Sequence, residues 1–217
     1  FSDANRENSI PKALNGRISK NNLAKLYQGE IKDWKDLNQA GFKNSLPVKL
    51  YKPEEDYLTK PLNQFIPELG ESKMIAGSKT KFGSMLQNIL QGFEETEEEN
   101  RYGGIGFGLL RKVYGQCSVY PLAIEEVKPQ SIQVQQPLIQ NDGNPINPDI
   151  DLCNDKGSYR LNTNAFKSGN YPLRFAIAVI YRTNNKTKGE KYANLMLSDE
   201  GQSLLQEIGL VPARNIY

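Results

Sequence analysis

Short apolar strand segments alternate with amphipathic helical segments along this chain, and the alternation limits the folds open to it. Residues 82–90 carry apolar side chains at helical spacing, and Val48 to Tyr51 alternates as a half-buried strand does. Phe175 to Tyr181 is a continuous apolar run with β-branched residues, which predicts a buried strand. Helices that alternate with strands are typical of the α/β class.

A capped helix followed by one tryptophan is the most informative local pattern. Residues 19–29 place apolar side chains on one helix face. Ser19 can cap the start of this helix, and Gly29 can end it in the left-handed conformation. Trp34 follows among charged neighbours, and we expect its ring to be a buried packing anchor rather than a ligand platform.

Several further boundaries follow from local signals. Gly92 is expected to close the helix over residues 82–90, and Ser118 to Ile124 is expected to form one strand. Asn141 to Asn144 is a strong turn signal. Ser198 can cap a last helix that Gly209 ends, and a short strand is expected to start at Leu210-Val211.

Composition excludes several functional classes. The sequence contains no histidine, which removes histidine-based general base catalysis, Ser-His-Asp triads and most zinc sites. It also lacks the G-x-S-x-G nucleophile motif. We therefore expect no enzyme activity, catalytic residue, metal site or cofactor.

Charge and hydropathy exclude two kinds of partner. The formal net charge of +2 is too small to indicate nucleic acid. The longest apolar run has about seven residues where a membrane helix needs about 20, so we expect no membrane insertion. The sequence starts at Phe1 without a signal peptide, and we expect a processed product or an excised fragment.

Two acidic or glycine-rich segments have ordinary structural interpretations. Glu94 to Glu99 is a run of carboxylates and is expected to be solvated. Gly103 to Gly108 lacks the G-x-G-x-x-G spacing and is expected to be a turn leading into a short strand where backbones approach closely. The two cysteines, Cys117 and Cys153, are either buried thiols or one disulfide, and composition does not choose between them.

Several segments resemble, in the same order, motifs of the phosphate-binding proteins of ABC transporters. Leu26 to Trp34 resembles the I-F-x-G-K-I-x-x-W segment, and Gly104 to Phe107 resembles G-A-I-G-Y. Pro137 to Ile146 is similar to L-I-x-x-D-G-K-P-V, and Leu197 to Gln202 is similar to L-S-x-E-G-Q. Asn170 to Leu173 resembles Y-P-I/L. The sequences of residues 116–122 and 164–166 look most like those of cyanobacterial members of the family.

The resemblance implies a periplasmic-binding-protein type II fold, with a mixed sheet, flanking helices and an anion held between two lobes. Residues 1–217 would form one such region, with about 18–170 as the second lobe. Residues 1–17 and 171–217 would form the crossing strands and the remainder of the first lobe. The chain would be periplasmic or extracytoplasmic, would work with an ABC-transporter permease or a membrane sensor, and would join Cys117 to Cys153 in a disulfide.

The sequence departs from the family pattern in two places. It lacks the segment with which the family usually begins, and so resembles one complete lobe with part of another. It also has Lys52 to Lys60 where the family has the glycine-rich R-x-x-G-S-G-T loop. Glycines allow backbone N–H groups to converge on an oxyanion, whereas Glu54, Glu55 and Asp56 would repel one.

The residues left as candidate ligands for a small oxyanion combine cations and hydroxyl groups near two helix starts; they are Lys52, Thr59, Lys60, Ser78 and Thr80. Two functions follow. The first is an extracytoplasmic solute-binding protein with a small anion in its cleft. The second is a degenerate binding-fold module that acts as a sensory or protein-interaction domain without binding phosphate. We expect phosphate to bind weakly or not at all.

Overall fold

The computed structural model describes residues 1–3, 9–37, 41–42, 44–69, 76–94, 98–128, 131–155 and 157–213. The helices of this part are α1 (Ile10–Ala13), α2 (Lys20–Tyr27), α3 (Thr59–Phe65), α4 (Phe82–Glu94), α5 (Leu110–Val113), α6 (Thr163–Ser168), α7 (Lys186–Leu197) and α8 (Asp199–Glu207). The strands are β1 (Ser2–Asp3), β2 (Arg17–Ser19), β3 (Val48–Pro53), β4 (Ser78–Thr80), β5 (Gly103–Gly106), β6 (Val119–Tyr120), β7 (Ala123–Lys128), β8 (Ser131–Gln135), β9 (Leu138–Gln140) and β10 (Tyr159–Leu161).

A parallel sheet in the order β4-β3-β5 carries the region where the candidate ligands lie. Its register places Tyr51 opposite both Ser78 and Gly106. A second sheet has the order β2-β7-β8, in which β2 and β7 are parallel and β7 and β8 antiparallel. The pairs β1–β6 and β9–β10 are antiparallel. The predicted α/β class, with mixed sheets and flanking helices, is confirmed.

The helix predicted at residues 19–29 is confirmed with both of its caps. The Ser19 hydroxyl oxygen accepts the Asn22 backbone N–H at 3.1 Å. At the other end, Gly29 has φ +76° and its N–H donates to the Leu26 carbonyl, while Glu30 N–H reaches Lys25. These two bonds form a Schellman motif, which satisfies the last carbonyls of α2.

Trp34 is a buried anchor, as expected. Its side chain has 0% exposure, its ring stacks on Phe42 with centroids 5.6 Å apart, and its indole N–H donates to the Gly103 carbonyl at 3.1 Å. A Cβ on Gly103 would overlap both the Trp34 ring and Ile10. The lack of a side chain at Gly103 therefore allows the indole to reach the backbone of β5.

The expectation that Gly92 ends its helix is wrong, because α4 continues to Glu94. Gly92 is buried beneath the ring of Tyr102, where a Cβ would overlap that ring. Its carbonyl accepts the Tyr102 backbone N–H at 2.9 Å. The small residue here serves close packing between α4 and the chain that enters β5, rather than helix termination.

The single strand expected from Ser118 to Ile124 is also wrong, because the structure has two strands divided at Pro121. β6 pairs with β1, whereas β7 pairs with β2. Proline has no N–H to donate to a ladder, so the chain changes sheets there. The predicted turn over residues 141–144 is confirmed, with Gly143 at φ +90° and Asn144 N–H donating to the Asp142 carboxylate.

The buried strand expected at Phe175 to Tyr181 is wrong. These residues have no regular secondary structure, and Ile177 and Ile180 are 67% and 92% exposed. The strand expected at Leu210-Val211 is absent too. Both segments lack a neighbouring strand among the described residues, and a strand forms only with a partner for its backbone groups. By contrast, the caps of α8 at Ser198 and Gly209 are confirmed.

The disulfide between Cys117 and Cys153 is confirmed, with the two Cα atoms 4.6 Å apart. It joins the chain just before β6 to the loop between β9 and β10.

Candidate functional site

The carboxyl edge of the parallel sheet is where the fold would hold a ligand. The chain leaves β3 toward β4 on one side, while β5 lies on the other side of β3. In open α/β sheets, ligands bind outside the carboxyl ends of strands where the connections diverge in this way. α4 starts at the same edge, and its Met85 and Ile89 pack on the glycines of β5.

The structure places three of the five candidate ligands on neighbouring strands but not on one face of the sheet. Lys52 lies directly opposite Lys79 on β4, so these two side chains share a face, whereas Ser78 and Thr80 project from the other face. Thr59 is close along the chain, as the first residue of the seven-residue helix α3. Lys60 is exposed on α3, and its side chain makes no ion pair or hydrogen bond with a described residue.

An internal carboxylate already faces the cations of this edge. The Asp56 carboxylate accepts a hydrogen bond from the Lys79 ammonium at 2.8 Å. This hydrogen bond, the charge of Lys79 and the weaker effect of Lys52 hold the pKa of Asp56 below its ordinary value. An oxyanion that approached Lys52 or Lys79 would therefore meet a negative charge already in contact with one of them.

Two of the three hydroxyl groups among the candidate ligands, those of Thr59 and Thr80, are directed to the backbone. Thr59 Oγ1 donates to the Asp56 carbonyl at 2.7 Å, and Thr80 Oγ1 donates to the Ser78 carbonyl at 3.3 Å. Both bonds are local, since each joins residues two or three positions apart. A ligand that needed these hydroxyls as donors would have to replace both bonds, which reduces the net gain from binding.

The loop between β3 and α3 carries two more carboxylates. Glu54 is exposed, and Glu55 lies 3.9 Å from the ammonium of Lys112 on α5. The loop that follows β3 thus presents acidic side chains at the carboxyl edge of the sheet. Its chemistry suits internal ion pairs better than the enclosure of an oxyanion.

The sequence did not predict the pairing of Asp56 with Lys79. The two residues are 23 positions apart, and they meet because β3 pairs with β4 and the turn that follows β3 carries Asp56. Strand register in a parallel sheet has no local sequence signal comparable to a cap or a turn, because the partner is set by the crossover.

The start of the chain also reaches this edge. The Phe1 amino group donates to the Gly106 carbonyl at 2.8 Å, and Gly106 N–H donates to the Phe1 carbonyl at 3.0 Å. Burial lowers the pKa of the Phe1 amino group to about 5. No sequence signal indicated that this amine would be enclosed.

A large apolar cavity lies beside the candidate site. Its volume is about 1400 Å³, and its walls include Tyr27, Leu62, Phe107, Phe175 and Tyr192. The cavity therefore lies between the main core and residues 175–181, the segment whose predicted strand does not form.

Two negative findings apply to the described residues. They contain no cluster of three or more His, Cys, Asp or Glu side chains arranged to hold a metal ion. None of their helices combines the length and the apolar character needed to cross a membrane.

No family model and no curated protein sequence matches the chain. Solved structures do resemble it. One is a candidate phosphate ABC transporter substrate-binding protein from Clostridium perfringens, solved with bound phosphate, with 14% identity and a TM-score of 0.53. Another is described as a possible phosphate-binding protein from Planctomyces limnophilus, with 11% identity and a TM-score of 0.50.

The two alignments each cover 95% of this chain, but only 67% and 62% of the respective solved chains. The 217 residues therefore span about two thirds of the length of these neighbours. At such low identity the likeness establishes the fold alone. The chain has the mixed α/β fold of solved phosphate-binding proteins.

Proposed function

We propose that this chain is an extracytoplasmic module with a solute-binding fold that acts as a sensory or protein-interaction domain and does not bind phosphate tightly. The observation that carries the proposal is the ion pair of Asp56 with Lys79 at the carboxyl edge of the parallel sheet. A binding site for an oxyanion requires donors and cations that are available to it. Here the Lys79 ammonium and the hydroxyl groups of Thr59 and Thr80 already have acceptors within the chain.

The disulfide and the fold neighbours support the extracytoplasmic part of the proposal. Disulfides persist in oxidising compartments and are rare in the cytosol. The neighbours include a protein described as a transporter component. A module of this kind would transmit its state to a membrane protein, either a transporter permease or a sensor, and would carry no catalytic group.

A second candidate function is the binding of a small oxyanion in the manner of a solute receptor. The observation that favours it is the register that sets Lys52 opposite Lys79, which places two cations on one face of the sheet beside the start of α4. A rearrangement of Asp56 would then turn the two lysines toward the ligand. The two candidates differ in one measurable quantity, which is the affinity for phosphate.

Isothermal titration calorimetry with inorganic phosphate at neutral pH tests the proposal. For the unchanged protein we expect no binding, or a dissociation constant above the millimolar range. Micromolar or tighter binding that Thr59→Ala abolishes would refute the proposal and establish the second candidate.

The variant Asp56→Asn tests the reason given for weak binding. It keeps the shape of the side chain, leaves the Thr59 bond to the backbone carbonyl in place, and removes the competing charge. We expect phosphate affinity to rise at least about tenfold, because one charge-assisted contact contributes about 1.5–3 kcal/mol. Glu54→Gln is the matched control, since it removes an exposed charge from the same loop, and it should change affinity much less.

A further inference from the structure

The two sulfur atoms of the Cys117–Cys153 disulfide have different surroundings. Cys153 is exposed in the loop between β9 and β10. Cys117 is half-buried and packs against the main hydrophobic core. One side of the bond therefore faces solvent and the other side faces the interior, so a thiol in solution can reach one sulfur atom more easily than the other.

The chemistry of thiol–disulfide exchange makes this difference important. A thiolate attacks one sulfur of the bond, forms a new S–S bond with it and displaces the other sulfur as a thiolate. The attacking sulfur approaches along the extension of the S–S bond, from the side opposite the leaving sulfur. For Cys153 this approach starts in solvent, whereas for Cys117 the packing against the core obstructs it.

The loop that carries Cys153 is held by contacts that do not involve the disulfide. The Asp151 carboxylate accepts the backbone N–H groups of Cys153 and Asn154 at 2.9 and 3.0 Å, and the Asn154 side-chain amide at 2.7 Å. Leu152 is buried, and its carbonyl accepts the Tyr159 hydroxyl at 3.4 Å. Because none of these contacts needs the S–S bond, we expect Cys153 to keep its position when that bond is broken.

The same loop carries an excess of negative charge. Residues 141–157 contain four aspartates and one lysine. The hydrogen bonds from Asn154 and Cys153 hold the pKa of Asp151 below its ordinary value, so its carboxylate is charged at neutral pH. An attacking thiolate is itself negative, and repulsion between like charges slows its approach.

We propose that the Cys117–Cys153 disulfide is a thiol-exchange site, at which an external thiolate attacks Cys153 Sγ and displaces Cys117 Sγ. The aspartates of the loop favour thiols whose other groups are positive over thiols whose other groups are negative. This site is separate from the residues assigned to phosphate, so the two proposals can fail separately.

The step conserves atoms and electrons. One S–S bond forms between the external sulfur and Cys153 while the Cys117–Cys153 bond breaks, and the electron pair of the broken bond stays on Cys117 Sγ. The external sulfur is oxidised and the Cys117 sulfur is reduced. The two Cα atoms are 4.6 Å apart in the held loop, so the Cys117 thiolate can attack the mixed disulfide and restore the original bond.

Mapping of the first adduct tests which sulfur is attacked. The oxidised 217-residue protein is exposed briefly to cysteamine, and acid stops the reaction before the mixed disulfide is reduced further. The freed thiol is alkylated with N-ethylmaleimide. Peptide mass spectrometry then determines which cysteine carries cysteamine and which carries maleimide. The same reaction in concentrated urea is the control, because the unfolded chain exposes both sulfur atoms.

In the folded protein we expect cysteamine on Cys153 and maleimide on Cys117, in at least about tenfold excess over the opposite pattern. In urea we expect the two patterns in similar amounts. Similar amounts in the folded protein, or cysteamine mainly on Cys117, would overturn the proposal. A disulfide that reacts only when urea unfolds the chain would overturn it as well.

Thiols of different charge test the role of the aspartates. The thiolate of cysteamine is a zwitterion, whereas the thiolate of 2-mercaptoethanesulfonate carries a second negative charge. The measured quantity is the ratio of their rate constants, each expressed per thiolate. Between about 10 mM and about 0.5 M ionic strength we expect this ratio to fall at least about threefold, because salt screens the repulsion. A ratio that is independent of salt would refute the selection for charge.

The variant Asp151→Asn removes a charge beside the disulfide and keeps an oxygen that can accept the Cys153 N–H. We expect a weaker dependence of the ratio on salt, with the adduct still on Cys153. Asp36→Asn, which removes an exposed aspartate from another part of the chain, is the matched control and should behave as the unchanged protein does. Equal effects of the two variants would attribute the selection to the net charge of the protein and contradict the proposal.

Discussion

Burial changes the chemistry of single residues in this protein more than their charged neighbours do. The Phe1 amino group is enclosed against the Gly106 carbonyl, and desolvation lowers its pKa from 8.0 to about 5. The Tyr27 hydroxyl, which donates to the Tyr51 carbonyl at 3.3 Å, has its pKa raised by the same cause. In each case the neutral form is favoured, because a charge is poorly solvated inside the fold.

A prediction at the residue scale follows for a polypeptide that begins at Phe1. Between pH 5 and 8 the unfolded amino group binds a proton that the folded one does not, so the free energy of unfolding should rise with pH. The full rise would be up to about 4 kcal/mol, with no further gain above pH 8. The measurement is urea denaturation at intervals across this range.

The absence of histidine makes this test clean, since no side chain with an ordinary pKa near 6.5 titrates in the same interval. Stability that stayed constant from pH 5 to 8 would show that the amino group is hydrated in the folded state.

At the scale of elements, glycine spacing lets a helix and an indole approach the same strand. Ile89 and Met85 of α4 pack against Gly104 and Gly106, while Trp34 packs against Gly103. β5 is fully buried as a result. Side chains at positions 104 and 106 would separate α4 from the parallel sheet.

Gly103→Ala should therefore destabilise the protein. The added methyl group overlaps the Trp34 ring and should also weaken the indole hydrogen bond, and we expect a loss of about 2–3 kcal/mol in the free energy of unfolding. Trp34 is the only tryptophan, so its fluorescence follows the transition in guanidinium chloride.

Gly83→Ala is the matched control, because no atom lies within 4 Å of the added Cβ and the position is in α4. It should be neutral or stabilising by up to about 1 kcal/mol. A cost for Gly83→Ala equal to that for Gly103→Ala would mean that loss of glycine as such, and not the contact with Trp34, causes the effect.

At the scale of the whole molecule, one covalent link and one open surface stand out. The Cys117–Cys153 disulfide closes a loop with a sequence separation of 36 and ties β6 to the β9–β10 pair. In the C-terminal part, by contrast, apolar side chains such as Ile177, Ile180 and Leu195 are exposed. The division into a second lobe over about 18–170, with the ends of the chain belonging to the first lobe, remains a proposal.

Reduction of the disulfide should lower the free energy of unfolding by about 4 kcal/mol in the loop-entropy model. The measurement is urea denaturation with and without dithiothreitol. The double variant Cys117→Ser, Cys153→Ser should show the same lowered stability and no response to dithiothreitol. A response of the double variant would trace the effect to something other than the disulfide.

Features encoded within a few neighbouring residues could be predicted from the sequence. The caps at Ser19 and Ser198 and the left-handed ends at Gly29 and Gly209 are all confirmed. The burial of Trp34 is confirmed as well. The caps and left-handed ends depend on hydrogen bonds or backbone conformations that span one turn of chain. The burial of Trp34 is different, because it also depends on contacts with Phe42 and Gly103. The order of elements gave the α/β class in the same way.

Only the tertiary structure decided the features that need a partner distant in sequence. Residues 175–181 have the composition of a strand, but a strand exists only beside another strand, and none of the described residues provides one. Gly92 could have ended a helix, but the Tyr102 ring required its small size instead. Asp56 lies three residues beyond β3, and it meets Lys79 because the parallel pairing of β3 with β4 brings this turn next to β4. The local sequence determines which secondary structures a segment can adopt. Contacts with residues distant in sequence determine which of them it adopts in the folded protein.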